Sequence, residues 1–260
     1  MKKRETVDLV IILLWPIIAA ILSFLLKPKA LGSVILFLAV PSIYLAYRGK
    51  NYLKKVFVFA ITTSILTMIV LDYIAQITGA WLMYPHSILP FKFFGSVTLE
   101  VILWAFFTCF LIVIFYEYFL DKHLTKKLWN PKMKYLLMVS LIIFAIFVLF
   151  LFNLPSLLSV PYFYVSWGIV LLLIPFLLQL LKYPKTTSKF FLVAAYFFYM
   201  NFIYEITALK LGWWTFPGKQ FVGWVSILGV SFPIEELFFW FILLALGILS
   251  YYEFFDDDEK

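Results

Sequence analysis

Eight continuous apolar runs, each about the length needed to cross a bilayer, divide this chain of 260 residues. They fall at about 7–26, 30–47, 53–77, 97–120, 135–152, 161–181, 190–209 and 230–255. A helix needs roughly 20 mainly apolar residues to cross the hydrocarbon core. A membrane barrel would instead show segments of about ten residues with alternating polarity, and these runs do not alternate. Only 13% of residues are charged and 65% are hydrophobic, against about 25% and 45–50% in soluble domains. The chain therefore reads as an all-α, polytopic membrane helical bundle of about eight transmembrane helices. Trp15-Pro16 predicts a kink in the first of them.

Eight spans place both termini on one side. Of the 21 Lys and Arg residues, only Lys27, Lys29, Lys92, Lys210 and Lys219 then fall on the other. Basic loops stay cytoplasmic, so both termini are expected there, in a cytoplasmic membrane. The net charge of +7 is thus a signal of topology, and no nucleic-acid partner is expected. Met1-Lys2-Lys3-Arg4 leads into the first run without a small-residue cleavage site, so that run is expected to be retained. A single cysteine, Cys109, leaves no intrachain disulfide or cysteine metal cluster and reads as a packed small residue. The acidic tail Asp256-Asp257-Asp258-Glu259 reads as a solvated end.

The two halves of the chain resemble each other. Glu100-Val101-Ile102-Leu103-Trp104 aligns with Glu236-Leu237-Phe238-Phe239-Trp240. Continued without a gap, Tyr116-Glu117 falls on Tyr252-Glu253. Upstream, Asp72 stands nine residues before Trp81, and Glu205 nine before Trp214. Corresponding spans lie four apart, so the halves, 1–130 and 131–260, insert in the same direction as two parallel repeats. Such repeats place a shared site at their interface.

Carboxylates in membrane spans are costly and mark function by default. Asp72, Glu100, Glu205 and Glu236 all fall near the ends of their spans away from the basic loops. They are expected to ring one pocket, with Glu235 as an extra carboxylate in one half. Pro233 suits the first turn of a helix, where Glu235 and Glu236 would also be favoured simply as capping anions. Glu117 and Glu253 are read as interfacial anchors beside Tyr116 and Tyr252. Phe, Tyr and Trp make up 22% of the chain. Aromatic walls are explained equally by lipid-facing packing and by a cavity that stabilises cations.

Crowded carboxyl groups in low dielectric do not all ionise. A protonated one beside an ionised one is an acid/base pair, and apolar aromatic walls call for an apolar substrate. Acid, aromatic faces and base together describe an isoprenoid cyclase or isomerase that needs no cofactor and no metal. No G-x-G-x-x-G and no H-E-x-x-H occurs. His86 lies in a loop, as a site residue or an interfacial polar group, and His123 in a basic loop.

Pro233-Ile234-Glu235-Glu236, followed by Leu237-Phe238-Phe239, resembles the P-x-E-E hallmark of the integral-membrane lycopene cyclase domain family. That family includes the heterodimeric bacterial carotenoid cyclases, their fused archaeal forms and the cyclase part of fungal bifunctional enzymes, and the duplication is similar to the fused form. The resemblance implies redox-neutral closure of linear ψ-ends of lycopene to β-ionone rings, with Glu235 and Glu236 as acid and base. Glu100, Asp72 and Glu205 match in place, and Trp81, Trp104, Trp214, Phe239 and Trp240 would line the substrate. The first half departs from the motif, reading Val97-Thr98-Leu99-Glu100, without the proline and the first glutamate. The implied partners are an apolar isoprenoid or carotenoid substrate in the bilayer and the membrane lipids, and a homo-oligomer is allowed. Two other readings use the same carboxylates without catalysis: a proton-coupled or lipid-binding membrane protein, and an assembly protein in which they are structural.

Overall fold

A computed structural model describes residues 3–122 and 128–256. His123 and the acidic tail beyond 256 lie outside them. Among the described residues, eight helices are long and apolar enough to cross a membrane. They are α1 (Lys3–Leu26), α2 (Ala30–Arg48), α3 (Leu53–Thr78), α4 (Leu99–Asp121), α5 (Met133–Asn153), α6 (Phe163–Lys182), α7 (Pro184–Leu211) and α8 (Glu236–Phe255). Among the same residues, six short strands lie in the loops between α3 and α4 and between α7 and α8: β1 (Leu82–Met83), β2 (Lys92–Phe93), β3 (Val97–Thr98), β4 (Trp214–Thr215), β5 (Trp224–Ile227) and β6 (Val230–Pro233).

Several boundaries differ from the sequence expectation. The first residues of the fourth and eighth apolar runs form strands β3 and β6, not helix. Pro233 holds Phe232 extended, and the left-handed pair Leu228-Gly229 turns β5 back onto β6. Helix α7 begins earlier than its apolar run, because Pro184 is well placed in a first helical turn. Pro16 lies inside α1, which runs unbroken from Lys3 to Leu26.

The halves have matching parts. In α2 the segment Ile35–Ala39 is π-helical, and the Val40 N–H reaches back five residues to the Ile35 carbonyl. In α6 the segment Ile169–Leu173 does the same through Ile174. A proline follows each segment, Pro41 and Pro175. Proline has no N–H and crowds the carbonyl four residues back, and the wider turn gives the displaced carbonyls other partners. Helix α3 packs on α4 as α7 packs on α8, and α2 on α4 as α6 on α8. The leading helices are exchanged: α1 packs on α7, and α5 on α3.

Close approach between α6 and α8 depends on Gly168. A Cβ there would lie 2.2 Å from the Phe239 ring. Phe239, expected on sequence to line the substrate, instead packs on this bare backbone. Gly168→Ala should destabilise the bundle by about 1–3 kcal/mol through overpacking, read as a lower melting midpoint in detergent. Adding Phe239→Leu should recover part of the loss. A G168A protein that melts with the parent would show that the ring is free to move.

Candidate active site

The helices that carry Asp72 and Glu205 end in the same turn. Gly79 (φ +74°) and Gly212 (φ +64°) take the left-handed conformation that closes α3 and α7. Ala80 N donates to Ala75 O at 2.8 Å, and Trp213 N to Ala208 O at 3.0 Å. The reversal returns the next tryptophan to the acid nine residues earlier. Trp81 Nε1 donates to Asp72 Oδ1 at 2.7 Å, and Trp214 Nε1 to Glu205 Oε1 at 3.0 Å. The nine-residue spacing noted in the sequence is therefore a hydrogen bond, formed in both halves.

From these turns the halves meet in an antiparallel ladder. Leu82 pairs with Thr215 and Met83 with Trp214. Gly218 N to Gly79 O (2.8 Å) and Tyr84 N to Trp213 O (3.1 Å) extend it at either end. The hairpins β2–β3 and β5–β6 then carry the chain into α4 and α8.

The entry to those helices corrects the sequence alignment. Glu100 Oε1 accepts the Leu89 N–H at 2.7 Å, and Glu235 Oε1 accepts the Val222 N–H at 2.6 Å. In each, Oε2 is buried with no hydrogen-bond partner among the described residues. Glu235, rather than Glu236, thus matches Glu100 in its contacts. From Glu100 to Tyr116 is 16 residues, but from Glu235 to Tyr252 is 17. The π-helical segment Glu236–Leu243 at the start of α8 absorbs the extra residue. Asn201 on α7 braces that segment, its Nδ2 donating to the Trp240 carbonyl at 3.0 Å. Glu236 then occupies the place that Val101 holds in the first half.

Seven of the residues singled out on sequence line one apolar cavity of about 100 Å³: Glu100, Glu205, Glu236, Trp81, Trp104, Trp214 and Trp240. Roughly 10–15 Å³ on this measure admits one water. The three glutamates are 1%, 6% and 5% exposed, and Glu205 lies within electrostatic reach of Glu236. Trp240 meets Trp81 and Trp104 edge-on, at 5.8 and 5.9 Å between ring centroids.

No family model, curated protein or solved structure matches this chain.

Three expected site residues do not line the cavity. Asp72 lies behind Trp81 and is filled by hydrogen bonds from Trp81, Gln76 Nε2 (2.8 Å) and Thr98 N (3.3 Å). Glu235 is held by the Val222 N–H, and Phe239 by Gly168. His86 is exposed and stacks on Tyr84. Sequence reasoning missed Tyr164, Tyr204 and Asn201, which also line the cavity. Tyr164 donates its hydroxyl to Glu236 Oε1, and Tyr204 bonds Ser33 at 2.8 Å. Asn201, an amide inside an apolar run, was the one of the three with a legible signal.

The opposite end of the bundle holds a second polar centre. Tyr116 donates to Glu253 Oε1 at 2.5 Å, and Tyr252 donates to Glu117 Oε1. Glu117 and Glu253 are therefore not the interfacial anchors expected on sequence. They are 2% and 3% exposed, and each binds the tyrosine of the other half. Asp8 on α1 is also fully buried.

Proposed function

We propose that this protein is a membrane-embedded acid/base catalyst that cyclises or isomerises an apolar alkene, an isoprenoid of the carotenoid type, without net redox change. One observation carries the reading: glutamates from both halves and four indoles surround one apolar cavity. Glu236 is the proton donor, with Oε1 held by Tyr164 and Oε2 left to carry the proton. Protonation of a terminal alkene forms one C–H bond and leaves a tertiary cation. The next alkene attacks it, forming the ring C–C bond. Glu205, oriented by Trp214, or Glu100 takes a ring proton, which restores a double bond and balances the sequence. Indole faces within about 6 Å of a cation stabilise it by roughly 0.5–2 kcal/mol each.

The resemblance to the lycopene cyclase domain family favours lycopene as substrate. The excess of Lys and Arg in the loops on the side of the termini favours a cytoplasmic membrane with both termini in the cytoplasm. Expression in a lycopene-accumulating host, with chromatography of the pigments, tests the reaction. Monocyclic or bicyclic carotene is the expected product. Linear lycopene alone, from cells whose membranes contain the folded protein, would exclude it.

A further inference from the structure

A second cavity, of about 120 Å³, adjoins the first and shares Met68, Trp104 and Trp240 with it. Its wall is almost wholly apolar, yet it includes three buried donors with no hydrogen-bond partner among the described residues, on Thr108, Trp167 and Trp240, the last shared with the first cavity. Thr108 on α4 is 1% exposed, and its Oγ1 has no hydrogen-bond partner among the described residues. Trp167 on α6 has a buried Nε1 in the same condition. Both residues line this cavity.

Ser23 Oγ is also buried without a partner among the described residues, but other helical hydroxyls and indoles are paired. A hydroxyl inside a helix ordinarily returns to the carbonyl four residues back. Thr62, Thr63, Ser64, Thr78, Thr207 and Ser250 all do so, at 2.6–2.8 Å. The indoles of Trp15, Trp81, Trp213 and Trp214 each donate to an oxygen. A buried donor left unpaired forfeits its hydration with nothing in return. Two such donors on different helices, lining one chamber, form a site for an acceptor atom.

We propose that the second cavity binds an oxygen atom of an isoprenoid chain, an alcohol or ketone oxygen accepting from Trp167 Nε1 and Thr108 Oγ1. The chain runs past Met68, Trp104 and Trp240 into the first cavity. The isoprenoid nature of the chain rests on the function proposed above. The oxygen site rests on the unpaired donors, and its test needs no turnover.

Binding of geranylgeraniol and of the C20 hydrocarbon with the same skeleton, measured by tryptophan fluorescence in nanodiscs, decides the matter. The wild-type protein should bind the alcohol about 3–10-fold more tightly, the worth of one net hydrogen bond. Thr108→Val and Trp167→Phe should each reduce that preference and leave hydrocarbon affinity as it was. Thr108→Ser, which restores the hydroxyl, should keep it. Equal binding of the two probes to wild type, no binding of either, or a preference that survives both variants would overturn the proposal. A protein that shows the Thr108-dependent preference but converts no lycopene would remove the catalytic reading alone.

Discussion

Glu236→Gln should lower the proposed carotenoid cyclisation by about 10²–10⁴-fold, the usual contribution of a positioned acid or base. The amide oxygen still accepts from the Tyr164 hydroxyl that now binds Oε1, so membrane insertion and melting should stay close to wild type. Glu235→Gln is the informative partner. Its amide oxygen can still accept the Val222 N–H, and its side chain does not line the cavity. Turnover should therefore remain within about an order of magnitude of wild type, the worth of weakening one charge-assisted hydrogen bond. Pigment analysis of both variants in one host separates the two adjacent carboxylates. Equal losses would return them to a joint acid/base pair and displace Glu236 from its single role.

That contrast also marks where sequence reasoning stops. The bundle was legible because hydrocarbon tolerates few charges and demands long apolar runs. The acid and tryptophan pairs were legible because both partners lie on one short stretch of chain, joined by a glycine-capped turn. The register of α8 was not. A π turn adds a residue without any mark in composition, so the ungapped alignment set Glu236 against Glu100 and split the misalignment invisibly over Glu236–Leu243. Hydrophobicity likewise could not divide Val230–Pro233 from the helix that follows, since a strand at the mouth of the bundle is as apolar as a span. Tyr164 comes from α6, far from the motif in sequence, and its bond to Glu236 exists only once α6 packs on α8. The crossed pairs Tyr116–Glu253 and Tyr252–Glu117 join residues that the repeat had identified, but which tyrosine serves which glutamate follows from the packing of α4 against α8.

The largest expected effect on stability comes from Asp8, a carboxylate inside the first apolar run that belongs to neither repeat motif. Asp8 enters the membrane on α1, and its side chain has no exposed surface. Arg48 Nε donates to both carboxylate oxygens at 2.9 Å, and Nη2 donates to Oδ1 at 2.6 Å. Tyr44 on α2 and Tyr118 on α4 add their hydroxyls at 2.6 and 2.5 Å. One carboxylate thus ties three helices together and neutralises a guanidinium at the end of α2. Removing one partner of a buried pair costs about 3–5 kcal/mol. Arg48 keeps 17% of its side chain exposed, so Asp8→Ala should cost about 2–4 kcal/mol, the freed cation being partly solvated. The melting midpoint in detergent should fall accordingly, and α1 should become the first helix open to protease. A double-mutant cycle with Arg48→Gln should give a coupling energy of about 1–3 kcal/mol, as expected for residues sharing a hydrogen-bond network. Additive losses in that cycle would mean that the tyrosines, and not the arginine, hold Asp8 in place. The proposed cyclisation should survive in whatever fraction of the protein remains folded, because no residue of this cluster lines either cavity.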